Sequence, residues 1–275
     1  MKKLEANDFA EFVRITYGFD LIAELTVFRG QAFQGNLIPS VARKDKTVDT
    51  AEQEKKVIKQ LALMGASMLP PGPQNELELL VIAQHFGLKT RLLDWSSNPL
   101  AALWFACADP APGDAYVYAL YADDLLANDV YETSPFSRSE TRVFQPRLNN
   151  PRIIAQHGWF TLHRYSARSR KFVPLEINPN TKKHLTELRV PADKRADVLQ
   201  SLDLYGISSR TLFPDLEGLC RARRHLPAPV GDVQVGDVLQ LPAVRGLALH
   251  PFASRFPGLW ARNRSGTAPG RRAGP

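Results

Sequence analysis

The stretch from Gln84 to Ala106, QHFGLKTRLLDWSSNPLAALWFA, decides the fold of this chain. It begins in the last turn of one helix, spanning 76–86, and Gly87 is a natural stop because glycine takes the left-handed conformation that ends helices. Arg91–Asp94 then reads as a short strand. Asn98-Pro99 opens a second helix, with Asn as the cap and Pro in the first turn. That helix, LAALWFACA, is apolar almost all round, so it belongs in a buried position. The expected fold is an α+β domain, with helices packed on a single mixed or antiparallel sheet.

The flanks extend this pattern in both directions. Upstream, an amphipathic helix is expected over 8–16 and a strand over Leu25–Gly30 (LTVFRG), with an irregular segment at 36–44. Residues 50–68 carry a helical pattern that would turn Val57, Leu61, Met64 and Met68 inward, and Pro70-Pro71-Gly72-Pro73 ends it. Downstream, strands are expected at Ala115–Tyr121, Gly158–His163, Phe172–Ile177 and His184–Val190, with a loop-rich excursion over 122–150. A last helix, opened by Pro191, would turn Val198, Leu199 and Leu202 inward and end near Gly206. The organisation is a helical lead-in at 1–25, a domain at 26–226 and a tail at 227–275.

The net charge of +7 is concentrated at one end: Arg221 to Pro275 holds nine arginines against Asp232 and Asp237, and the acids and bases of residues 1–220 balance. The domain is therefore not built as a basic nucleic-acid binder; a nucleic-acid contact is expected only through the tail. That tail, rich in Ala, Pro, Gly and Arg, has the composition of a poorly ordered segment, although VGDVQVGDVLQL at 230–241 is compatible with one more strand. No apolar run approaches the length of a membrane span, and no apolar block follows Lys2 and Lys3 as in a secretory leader. Two cysteines, Cys107 and Cys220, make no disulfide framework, and no Cys/His spacing suits a metal. A reducing, cytoplasmic setting is expected.

Four segments together resemble the FRG domain family of bacteria and their phages. They are Phe28-Arg29-Gly30 with Leu37-Ile38-Pro39-Ser40 and Ala42-Arg43; the Gln84–Ala106 stretch; Arg152-Ile153 with Gln156-His157-Gly158-Trp159-Phe160-Thr161; and Leu212-Phe213-Pro214-Asp215-Leu216-Glu217-Gly218-Leu219. Their order and spacing span about 200 residues. The first strand also resembles that of ADP-ribosyltransferases of the Arg-Ser-Glu type, in which an arginine after an aromatic residue contacts NAD. That second resemblance implies an ADP-ribosyltransferase-like arrangement, NAD as co-substrate, and cleavage of its nicotinamide–ribose bond with water or a macromolecule as acceptor. A toxin or phage-defence effector would suit such chemistry. The alternative is a non-catalytic module that binds a nucleotide or another small ligand.

The residues that can carry either function are few. Arg29 can clamp a phosphate or carboxylate, with Gly30 letting the ligand approach; equally, it can pair with Asp94 or Asp215. His85, Thr90, Arg91, Asp94 and Trp95 form a polar cluster facing a cleft, where His85 could accept a proton and Trp95 could stack on a nicotinamide or base, or a satisfied buried network, in which Arg91 and Asp94 would pair with each other. Ser96 matches the transferase serine, while Ser97 or Asn98 caps the following helix. Gln156 would line a pocket wall, since a buried amide needs defined partners. The transferase resemblance also requires a late acid: Glu217 or Asp215, with Glu140 as the other candidate. No paired Glu-X-Glu is present.

Overall fold

The computed structural model describes residues 1–223 apart from 20, 21, 73, 128, 148 and 149. The arginine-rich tail at 227–275, with the strand considered at 230–241, lies outside the described residues. Strands β1 (Lys2–Glu5), β2 (Thr26–Gln31), β3 (Leu92–Ser96), β4 (Ala115–Tyr121), β5 (Arg142–Phe144), β6 (Gly158–Leu162) and β9 (Leu185–Val190) form one sheet; β7 (Tyr165–Ser166) and β8 (Lys171–Phe172) make a separate small hairpin. The sheet order is β1-β9-β4-β2-β3-β6-β5. β1 runs parallel to β9 and every other neighbour pair is antiparallel, so the sheet is mixed. With its packed helices it is the expected α+β domain.

The helices sort by the surface they cover. α1 (Phe9–Tyr17), α4 (Pro99–Ala108) and α7 (Arg195–Leu204) bury Phe12, Leu103, Ala106, Val198 and Leu202 against Phe28, Val117, Ala119 and Leu188 of the sheet. α4 is capped by Asn98, whose Oδ1 accepts from the backbone N–H groups of Leu100 and Ala101, so Asn98 takes the cap and Ser97 does not. α3 (Glu76–His85) opens on a reciprocal capping box between Asn75 and Glu78. Its Leu77, Leu80 and Val81 pack with Ile58 of α2 (Ala51–Met64) on Leu92, Phe144, Phe160 and Leu162. A third cluster, Val27, Leu93, Trp95, Tyr118, Leu120 and Leu185, is roofed by Leu37 and Leu175 from loops. The short helices α5 (Pro151–Ala155), α6 (Pro179–Lys182), α8 (Ser209–Leu212) and α9 (Leu216–Arg223) complete the elements of the described residues. No helix among the described residues is long and apolar enough to cross a membrane.

Three expectations need correction. α2 stops at Met64, and it turns Glu54 and Ile58 inward while Val57, Met64 and Met68 are exposed. The reason is Arg91: a buried guanidinium needs an acceptor, and Glu54 supplies it. The strand expected over 172–177 is cut short after Phe172. Beyond Pro174, the Leu175 N–H donates to the Leu37 carbonyl, and the Glu176 carboxylate accepts from the Asn36 and Leu37 N–H groups. That segment fastens the loop after β2 instead of joining the sheet. Finally, the chain starts with β1, whose residues Lys2-Lys3-Leu4-Glu5 carry little strand signal of their own; pairing with β9 makes them a strand.

Candidate functional site

β2 pairs with β4 along its whole length, but with β3 at a single register position among the described residues, Phe28 opposite Ser96. Past that point the two strands part, and a cavity of about 430 Å³ opens between them. Arg29, Gly30 and Gln31 form one lip; Asp94, Trp95 and Ser96 form the other; Phe105 of α4, Phe33, Arg43, Gln156 and Phe213 enclose the space. A smaller cavity of about 190 Å³ adjoins it, lined by Gln84, His85, Arg152 and Trp159. Asp94, Trp95, Gln156 and Phe213 line both.

Arg29 governs the electrostatics. Its side chain is 14% exposed, its Nη1 donates to the Asp94 carbonyl at 2.8 Å and stands 3.8 Å from Asp94 Oδ2, and its Nε is buried with no partner among the described residues. Burial lowers its pKa, the Asp94 charge raises it, and the like charge of Arg43 lowers it again. A guanidinium remains protonated under such a shift. The result is a partly desolvated cation with unused donor capacity, beside a second cation, in a cavity with aromatic walls. Such a place favours an anion carrying a flat or apolar group.

Residues 24–115 match the family model for the FRG domain. Over that stretch the chain is similar to the FRG domain. The match holds β2, α2, α3, β3 and α4, and with them Arg29, Gln84, Asp94 and Trp95; Arg152, Gln156 and Phe213 of the cavity walls come from later residues. No curated protein and no solved structure matches the chain.

The candidate residues, within that match and beyond it, divide. Arg29, Asp94, Trp95, Ser96 and Gln156 meet at the cleft. His85 lines the adjoining cavity, and its pKa is lowered by burial and by Arg152, against the opposing charge of Asp215. Arg29 and His85 therefore occupy neighbouring compartments with a common wall. Trp95 is nearly buried, its Nε1 donating to Thr161 Oγ1 at 3.0 Å, which makes it floor and not a free stacking plate. Ser96 Oγ donates to the Gln156 carbonyl at 2.7 Å and accepts from the Asn98 N–H, and Gln156 Nε2 donates to the Leu212 carbonyl at 3.0 Å. Both side chains hold the walls together.

Others serve the scaffold. Arg91 is 2% exposed and bonded through Nε, Nη2 and its backbone N–H to Glu54; it pairs with Glu54, not with Asp94, and lines neither cavity. Thr90, equally buried, donates to Gln84 Oε1. Gly30 is needed by α4: a Cβ there would stand 1.7 Å from the Ala102 carbonyl oxygen, so the glycine admits a helix backbone and not a ligand. Asp215 pairs with Arg152 at 2.5 Å. Glu140 is bonded to Arg142 of β5 and lines neither cavity. Glu217 falls on α9, and its side chain lies outside the described residues. Among the described residues no group of His, Cys, Asp or Glu could hold a metal ion.

Gln84, Phe33, Arg43, Phe105, Arg152 and Phe213 join the site without having been singled out by type. Gln84 and Arg43 sit inside the motifs that carry the family resemblance, where a polar residue beside apolar neighbours is the available signal. Phe105, Arg152 and Phe213 also sit inside those motifs, but nothing in their type marked them as cavity walls, and Phe33, outside the motifs, is brought in by packing alone.

Proposed function

We propose that the cleft between β2 and β3 binds a nucleotide, with NAD as the leading candidate, and that Arg29 takes a phosphate. The observation that carries this is the buried, incompletely paired Arg29 guanidinium beside Arg43 in a cavity walled by Phe33, Phe105 and Phe213. A phosphate satisfies the cations, and the base or nicotinamide ring has aromatic surface to lie against.

A second reading is that the bound NAD is cleaved. It is favoured by Asp94, a carboxylate on the wall common to both cavities, where it can oppose the positive charge that develops on the ribose as nicotinamide departs. In that reaction the C1′–N bond breaks with its electron pair going to nicotinamide, and water or a macromolecular nucleophile adds to C1′ and releases a proton. A toxin or phage-defence role belongs with this reading.

Calorimetry with NAD, run beside an assay of nicotinamide release, separates the two. Binding and release that are both lost in Arg29→Ala support cleavage. Binding without release assigns a binding module. Absence of NAD and nucleotide binding in the folded wild-type protein overturns both.

A further inference from the structure

The other lip of the cleft carries a device that Arg29 does not explain. Asp94 is 59% exposed, yet its carboxylate has a fixed direction. Gln84 Nε2 donates to Oδ1 at 2.8 Å, and Gln84 is itself aimed, because its Oε1 accepts from the Thr90 hydroxyl. With its oxygen turned to Thr90, the Gln84 amide can present only its NH₂ to Asp94. Oδ2 is different. Arg29 Nη1 donates to the backbone carbonyl of Asp94 and stands 3.8 Å from Oδ2, beyond hydrogen-bond length. An ionised carboxylate offers about four acceptor positions; Gln84 fills one, and no other hydrogen bond to this carboxylate is present among the described residues. Asp94 therefore presents oriented, unused acceptors to both cavities, next to a cation with unused donors.

A ligand that suits both lips brings an anion for Arg29 and, a few ångströms away, hydroxyl donors for Asp94. A 5′-phosphorylated ribose has these groups, and its 2′-deoxy form lacks one of the donors. We infer that Asp94, held by the Gln84–Thr90 arm, reads the ribose hydroxyls and makes the cleft selective for ribonucleotides over 2′-deoxyribonucleotides. This rests on the nucleotide reading above and adds to it the sugar class and the residues that choose it. Gln84 and Thr90 act through Asp94 and are positioning residues.

The test is calorimetric titration of the full-length protein with ADP and with 2′-deoxy-ADP, for wild type, Asp94→Asn and Gln84→Leu, with folding checked by circular dichroism. Wild type is expected to prefer ADP by about ten- to hundredfold, the range for a hydrogen bond to a charged group. That preference should collapse toward unity in Asp94→Asn and shrink in Gln84→Leu, a change in ratio that general loosening of the fold would not produce. Equal wild-type affinity for the two nucleotides overturns this inference and leaves the nucleotide reading standing. Preference retained in Asp94→Asn removes Asp94 from the role. Failure of wild type to bind either nucleotide overturns the inference, and failure to bind NAD as well overturns the reading it rests on.

Discussion

Arg29 and His163 show how single buried groups in this domain trade stability against function. Arg29 is desolvated without a full set of partners, so a residue of similar size and no charge should cost the fold nothing. Arg29→Met is expected to be neutral or stabilising by about 1 kcal/mol in urea unfolding, while nucleotide affinity falls about tenfold or more. Loss of stability together with affinity would make Arg29 structural. His163 lies beneath the cleft at 1% exposure, its Nε2 3.0 Å from the Thr161 hydroxyl that accepts from Trp95. Burial, then the charges of Arg29 and Arg91, push its pKa down to about 3. The folded state thus disfavours the protonated ring. The unfolded chain takes up its proton near pH 6.5, so stability is full above that pH and falls as pH drops toward 3. Between pH 7 and 5, above most carboxylate titration, about 2 kcal/mol should be lost. His163→Gln should remove most of that slope, as read by urea unfolding across this window, leaving the smaller part that belongs to His85. Arg29 was marked by its place after an aromatic residue and before a glycine. His163 carried no mark, because its burial depends on strands far apart in sequence.

At the scale of elements, β2 against α4 and α2 against β3 illustrate what a local pattern conveys. The cap and the all-round apolar surface of α4 are sequence properties, and both are realised. The closeness of its approach is not: Gly30 faces the Ala102 carbonyl so nearly that Gly30→Ala should destabilise the domain by about 3 kcal/mol, measurable by denaturant unfolding. Cleft geometry would change with it, since Gly30 lies on the lip. α2 is the converse case. Val57, Leu61, Met64 and Met68 follow a helical period, yet the helix presents Glu54 to Arg91. Apolar spacing cannot anticipate a buried charge whose partner lies 37 residues away. Removing that partner in Glu54→Gln should cost about 3 kcal/mol or more, because Arg91 stays buried with its charge uncompensated. Stacking of the Arg91 guanidinium on Phe136, at 4.4 Å, would not replace it.

At the scale of the whole molecule, one edge strand of the sheet is β1 (Lys2–Glu5), paired in parallel with β9 from residues 185–190. Deleting residues 1–5 would bare the backbone edge of β9 and remove Lys3 and Glu5 from Glu187 and Arg189. The short, charged edge of β1 would be exchanged for the longer, more apolar edge of β9, and since exposed edges template further pairing, the shortened protein should self-associate more than the full chain in sedimentation velocity. What the sequence by itself determined were the local facts: the α+β class, the positions of β2, β4, β6, β9, α1, α3, α4 and α7, and the family resemblance with Arg29 and Asp94 inside it. The elements are set by periodicity, caps and glycine stops acting locally, and the resemblance by the order and spacing of four motifs. Only the tertiary structure decided that β2 and β3 part after Phe28 and Ser96, that Gly30 serves a helix, that Arg91 belongs to Glu54, and that Phe213 and Arg152 wall a cleft begun at Arg29. Those are non-local matters. They depend on strand order and on which buried charge finds which partner, and neither is encoded in the spacing of any one segment.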